Sequence, residues 1–243
     1  MRVTNAPATS DTLVASEVFG PTVQGEGPSA GRRASFVRLG GCNLACGWCD
    51  TPYTWDGNRF DLRAELARQP VEAIVDRALA GSPELVVISG GEPLLHQLQP
   101  AWTRMLTMLR AAGADIEVET NGTIVPTAAT LEPDLAVRFN VSPKLAHSGD
   151  PAARRIRPDV LAAFVASGRA NFKFVCATPD DVDEAAELAD RYHLDAPVWI
   201  SPEGTTVEAV LIHTKLIADR VIERGFNLGT RLHVLAWGNE RGR

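Results

Sequence analysis

Leu85-Val86-Val87-Ile88-Ser89-Gly90-Gly91-Glu92-Pro93 is the stretch whose reading decides the fold. The apolar run reads as a strand buried on both faces, the habit of a parallel sheet. Two glycines then let bare backbone approach a ligand closely, and residues 94–112 read as a helix. Working outward, the unit recurs. Residues 34–39 form a strand ending at Gly40-Gly41, and residues 116–119 one ending at Thr120-Asn121-Gly122-Thr123. Residues 135–141 end at Ser142-Pro143-Lys144, and residues 198–200 at Ser201-Pro202-Glu203-Gly204. Residues 172–176 are a further strand, followed by a helix capped near Thr178 that runs to 192. A helix is expected over 207–224 and a last strand over 232–235. Periodicity over 61–79, broken at Pro70, reads as two short helices.

Strands alternating with helices imply parallel pairing through right-handed crossovers. The polar turns all follow strands, and in a barrel of this type those ends line a single face. The helices are too few for a complete eightfold barrel. The expected fold is therefore α/β, a partial (open) TIM-type barrel of parallel strands with flanking helices. Residues 1–15 read as a flexible N-terminal tail and residues 16–243 as a single domain.

The 243 residues carry a net charge of -6 with 45% hydrophobic and 22% charged residues. That balance suits a soluble globular chain and argues against a nucleic-acid surface. No apolar stretch approaches the roughly 20 residues of a membrane span, and the first fifteen residues lack a signal peptide's apolar core. A cytoplasmic location follows, with thiols kept reduced and available for metal.

Three of the four cysteines lie in Cys42-Asn43-Leu44-Ala45-Cys46-Gly47-Trp48-Cys49-Asp50-Thr51, spaced C-x3-C-x2-C. Zinc sites favour paired C-x2-C spacing and a closed shell, and ordinary iron–sulfur carriers use four cysteines. Three thiolates with no fourth nearby point to a cubane with one iron left open. Cys176, in an apolar strand, reads as a packed core residue. His96, His147, His193 and His213 show no metal-like spacing. Upstream, Gln24 and Glu26 on a glycine-rich loop suit a ligand with several N–H groups, and Arg38 suits a carboxylate.

Together with Gly90-Gly91-Glu92-Pro93, the cysteine loop resembles the radical S-adenosylmethionine superfamily. The resemblance narrows with Gln24-Gly25-Glu26-Gly27-Pro28, Phe36-Val37-Arg38-Leu39, Cys49-Asp50-Thr51, Glu119-Thr120-Asn121-Gly122-Thr123, Val141-Ser142-Pro143-Lys144 and His233-Val234-Leu235. In that order they are similar to the 7-carboxy-7-deazaguanine synthase family, from residue 17 to the C-terminus. The length of the C-terminal tail departs from the family pattern.

The resemblance implies conversion of 6-carboxy-5,6,7,8-tetrahydropterin to 7-carboxy-7-deazaguanine with loss of ammonia, a step towards 7-deazapurines such as queuosine. It implies a [4Fe–4S] cluster on Cys42, Cys46 and Cys49, with S-adenosyl-L-methionine on the fourth iron. Trp48, Gly90, Gly91, Glu92, Ser142, Pro143, Lys144, Ser201, Pro202, Glu203 and Gly204 match cofactor-binding positions. Val23, Gln24, Gly25, Glu26, Arg38 and Ser89 match substrate-binding positions, Ser89 standing where threonine is usual. Thr51 matches a Mg2+ ligand, with Asp50 as its neighbour. Also implied are a homodimer and an electron donor such as flavodoxin or ferredoxin. Two alternatives stand beside this reading: a glycyl-radical enzyme activase, which shares the cysteine loop and GGEP, and a non-catalytic metal-binding interaction module.

Overall fold

A computed structural model describes residues 11–243. Its frame is one nine-stranded sheet in the order β3-β1-β2-β4-β5-β6-β7-β8-β9. The strands are β1 (Thr12–Val23), β2 (Arg33–Leu39), β3 (Ala67–Pro70), β4 (Leu85–Gly90), β5 (Asp115–Thr120), β6 (Arg138–Val141), β7 (Ala170–Cys176), β8 (Val198–Pro202) and β9 (Asn227–Leu228). From β2 through β9 every neighbouring pair in the sheet order is parallel, whereas β1 is antiparallel to both β2 and β3. The outer strands β3 and β9 do not pair, so the sheet stays open, as expected of a partial barrel.

The helices are α1 (Leu62–Glu65), α2 (Val71–Ala78), α3 (Pro100–Ala111), α4 (Ala152–Arg155), α5 (Pro158–Ser167), α6 (Pro179–Arg191), α7 (Val207–Glu223) and α8 (Leu232–Trp237). Strand parity sorts the side chains between two faces. Ile116 and Val118 of β5, Phe139 and Val141 of β6, and Phe172, Phe174 and Cys176 of β7 join the helix-side core with Trp102, Leu106, Phe164 and Ile217. Cys176 is fully buried there, a packing residue as its setting implies. The alternate positions face the concave side. Ala34, Phe36, Leu85 and Val87 form a small apolar floor with Phe19. Beyond it the same parity delivers Glu117, Asn140 and Lys173, all buried polar groups.

Several expectations need correction. The tail boundary at residue 15 falls inside β1, which starts at Thr12, and residues 1–10 lie outside the described residues. The first of the two helices expected over 61–79 is a single turn. It is followed by β3, which pairs with the free edge of β1, and Pro70 then precedes α2. The helix expected over 94–112 is a 3-10 turn, Pro93–His96, followed by α3 with Pro100 in its first turn, where a missing N–H costs nothing. Residues 232–235 are helical, not extended: Val234 packs inward from α8. Four apolar residues do not distinguish the two states. The capping box at Thr178 and Asp181 is present as α6 begins.

Candidate active site

The C-terminal ends of β2, β4, β5, β6, β7 and β8 open into one cavity of about 490 Å3. Val23, Gln24, Glu26, Arg38, Cys42, Cys46, Trp48, Cys49, Thr51, Ser89, Gly90, Gly91, Ser142, Lys144, Glu203 and Gly204 all line it. The motifs read from separate parts of the chain thus meet in one place. Gly25, Glu92, Pro143, Ser201 and Pro202 do not reach its wall.

Glu92 has a physical reason to stand back. It is fully buried, and its carboxylate accepts from Leu94 N (3.0 Å), Thr120 Oγ1 (2.9 and 3.0 Å) and Asn121 N (2.7 Å). Burial raises its pKa, and those hydrogen bonds oppose the rise. It caps the turn after β4 and ties it to the end of β5. Gly25 is bare because His233 presses on it: a Cβ there would lie 1.9 Å from the imidazole Nδ1.

On one side of the cavity sits the cysteine loop, its three thiols free. Cys42 Sγ accepts from Leu44 N at 3.5 Å and Asn121 Nδ2 at 4.0 Å, and Cys49 Sγ from Trp55 Nε1 at 3.4 Å. Burial pushes the Cys42 thiol up to about 11 and the Cys46 thiol to about 12. Thiols so placed become thiolates when bound cations replace their protons. Gly91 lets the loop seat: a Cβ would stand 2.1 Å from Gly41 O and 2.9 Å from Cys42 Cβ. Among the described residues no three His, Cys, Asp or Glu side chains converge on a single-ion position. Three thiols spaced C-x3-C-x2-C round one cavity suit a cluster, where each thiolate takes a different iron.

Trp48 closes this side. Its ring stacks on His147 (centroids 5.5 Å apart, planes at 23°), and Lys144 Nζ lies 5.4 Å from its centroid. His147 in turn faces Asp181 (3.1 Å) and Glu203 (3.3 Å), so the loops after β6 and β8 and the first turn of α6 meet behind the tryptophan. Its spacing in the sequence carries no trace of this position.

The opposite side is a buried charge network. Glu26 pairs with Lys173 and with Arg231 Nε (2.8 Å), and Arg231 also grips Asp50 and Gly204 O. Burial alone would raise the Glu26 carboxyl, but Lys173 and Arg231 hold it far below the ordinary carboxylate range. Burial would likewise lower Lys173, and Glu26 instead raises it. Both partners are therefore charged. Gln24 donates to Glu117 (2.9 Å) and Glu119 (3.2 Å) and accepts from Glu26 N (3.2 Å). Glu117 also accepts from Ser29 (2.6 Å) and Asn140 (2.7 Å). Arg38 stands 3.5 Å from Glu17 and over the Phe19 ring, its Nε without a hydrogen bond. Ser89 Oγ is buried with no hydrogen-bond partner, on a residue that lines the cavity.

Sequence reasoning missed Lys173 and Arg231, which line the cavity, and Glu117, which holds Gln24 from behind. Lys173 had a signal, a cation alternating with Phe172 and Phe174 in a buried strand. Arg231 had none, because the loop after the two-residue β9 carries no pattern.

The Radical SAM superfamily model matches residues 36–159. A 7-carboxy-7-deazaguanine synthase of Pyrobaculum aerophilum is 38% identical over 230 residues, spanning 93% of this chain and 96% of its own. One of Hyperthermus butylicus is 36% identical, spanning 94% of each. The crystal structure of QueE from Escherichia coli superposes with a TM-score of 0.67 at 26% identity, covering 91% of this chain and 95% of the other.

Proposed function

The chain belongs to the 7-carboxy-7-deazaguanine synthase family of the radical S-adenosylmethionine superfamily, and from that membership we infer that it converts 6-carboxy-5,6,7,8-tetrahydropterin to 7-carboxy-7-deazaguanine with loss of ammonia. This is a step of 7-deazapurine biosynthesis. The observation that carries it is the shared cavity, with a three-cysteine loop on one wall and a charged, amide-lined pocket on the other. Relatives matched over almost their full length bear the synthase name, which disfavours the activase alternative.

Cys42, Cys46 and Cys49 hold a [4Fe–4S] cluster, which with S-adenosyl-L-methionine supplies radical chemistry that no side chain can. Gly90 and Gly91 give bare backbone beside it, and Ser142, Lys144, Glu203, Gly204 and Trp48 shape the remaining cofactor wall. Glu26, kept anionic by Lys173 and Arg231, accepts N–H groups of the pterin. Ser89 offers it a hydroxyl, and Gln24, tied at both ends of its amide, sets the height of the loop. Arg38 takes the substrate carboxylate.

Arg38→Ala is expected to weaken substrate binding roughly 10- to 100-fold, the worth of a charge-assisted hydrogen bond, while uncoupled cofactor cleavage continues. Equal loss of both activities would assign Arg38 to holding Glu17 and Phe19 instead.

Thr51 Oγ1 lies on the cavity wall 3.7 Å from Cys49 Sγ. It serves as one oxygen ligand to Mg2+, the rest coming from substrate and water. EDTA should lower turnover, and Thr51→Ala should flatten the response to added Mg2+. A wild-type Mg2+ titration in that variant would remove Thr51 as a ligand.

The protein works as a homodimer in the cytoplasm, with a flavodoxin or ferredoxin as electron donor. What supports the dimer is that α7 leaves Leu211, Ile212, Leu216 and Ile222 exposed on one helix, apolar surface a second copy would cover. Among the described residues no helix is long and apolar enough to cross a membrane. Sedimentation velocity should show about twice the chain mass of 26.1 kDa; a monomer at micromolar concentration would contradict the dimer.

A further inference from the structure

The segment after β6 braces the cysteine loop from behind. Gly47 N donates to Ser148 O (2.9 Å), Arg154 Nη2 to Asn43 O (2.6 Å), and Ala45 N to Asp150 Oδ2 (3.0 Å). That same Oδ2 accepts from the Cys46 thiol at 3.7 Å, a contact that becomes charge against charge once the thiol gives up its proton, and Asp150 is only 7% exposed. The three sulfurs are thus treated unequally. Those of Cys42 and Cys49 receive N–H donors, whereas Cys46 meets a carboxylate. Two cations stand beside this wall: Lys144, engaged with Ser142 Oγ at 3.0 Å and with the Trp48 ring, and Arg154, whose guanidinium is turned onto Asn43 O.

Hydrogen bonds to sulfur and net charge near the centre are what set an iron–sulfur potential. A donor stabilises the electron-rich form and raises the potential. A fixed anion destabilises that form and lowers it. A low-dielectric setting makes the anion count for more. We propose that Asp150 is a positioning residue with two tasks: it anchors the Cys46 turn through Ala45 N, and its charge against Cys46 Sγ lowers the reduction potential of the cluster. A more strongly reducing cluster is what one-electron cleavage of a sulfonium requires. The inference rests on the reading of the cysteine loop as a cluster site.

Asp150→Asn separates the two tasks, because an amide oxygen still accepts from Ala45 N while the charge is gone. The full-length chain and its Asp150→Asn, Asp150→Ser and Asp150→Glu variants are reconstituted anaerobically with iron and sulfide. Iron and sulfide are counted, and the midpoint potential is read by EPR-monitored redox titration without cofactor or substrate. The neutral variants should titrate at more positive potential than the parent, and Asp150→Glu close to it. A fully loaded Asp150→Asn protein with an unchanged or more negative midpoint would overturn the proposal. So would failure of both neutral variants to hold four irons, since the residue would then serve assembly alone. A parent chain that binds no cluster would instead sink the cluster assignment itself.

Discussion

Arg231→Leu is expected to melt well below the parent chain and to lose substrate binding. The guanidinium is shared by Glu26, Asp50 and Gly204 O, joining the glycine-rich loop after β1, the end of the cysteine loop and the loop after β8. Its removal leaves Asp50 without its cation and Glu26 with Lys173 alone. Breaking a buried pair from one side costs about 3–5 kcal/mol, and the partial exposure of Asp50 (36%) argues for the lower end. About 3 kcal/mol in a chain of this size corresponds to roughly 6–12 °C in Tm. Arg231→Lys keeps the charge but not the planar fork, and should fall between. Calorimetry on the cluster-free chain reads the effect directly. A Tm within a degree of the parent would show that the network does not hold these loops together.

Alanine at Cys42, Cys46 or Cys49 is the second large effect. In the proposed cluster site each thiolate would be the sole protein bond to one iron, so each variant should retain little iron and sulfide after anaerobic reconstitution and form no product. Cys176→Ala is the control. That thiol lies in the helix-side core, away from the cavity. Its loss should cost stability through a small void and leave the cluster intact. Full iron content in any of the three loop variants, or its loss in Cys176→Ala, would redraw the ligand set.

Much of this was legible because local signals and topology agreed. The run Leu85–Ile88, β-branched and closed by Gly90-Gly91, reads as a buried parallel strand, and the turns after β2, β4, β5, β6 and β8 share one end of such a sheet. That argument alone brought Cys42, Ser89, Ser142 and Gly204 together. Legibility failed where a residue's role depends on what lies across the cavity. Glu92 reads as a ligand from its place after two glycines, but nothing in the sequence shows that its carboxylate also joins the turn after β4 to Thr120 and the Asn121 N–H at the end of β5. Lys173 and Glu26 are 147 positions apart, and no sequence periodicity joins them. His147 and Asp150 fell in a stretch without a motif of its own, yet they are what the cysteine loop leans on. The short elements β3, β9 and α8 owe their state to the neighbour each one pairs or packs with, and propensity over two to six residues does not fix that.

The most direct test is anaerobic turnover by the reconstituted full chain. It is given S-adenosyl-L-methionine, a low-potential reductant, Mg2+ and 6-carboxy-5,6,7,8-tetrahydropterin, and its products are separated by chromatography and identified by mass. The expected result is 7-carboxy-7-deazaguanine with stoichiometric ammonia, abolished by Cys46→Ala. A cluster-loaded chain that cleaves the cofactor but returns the pterin unchanged would contradict it.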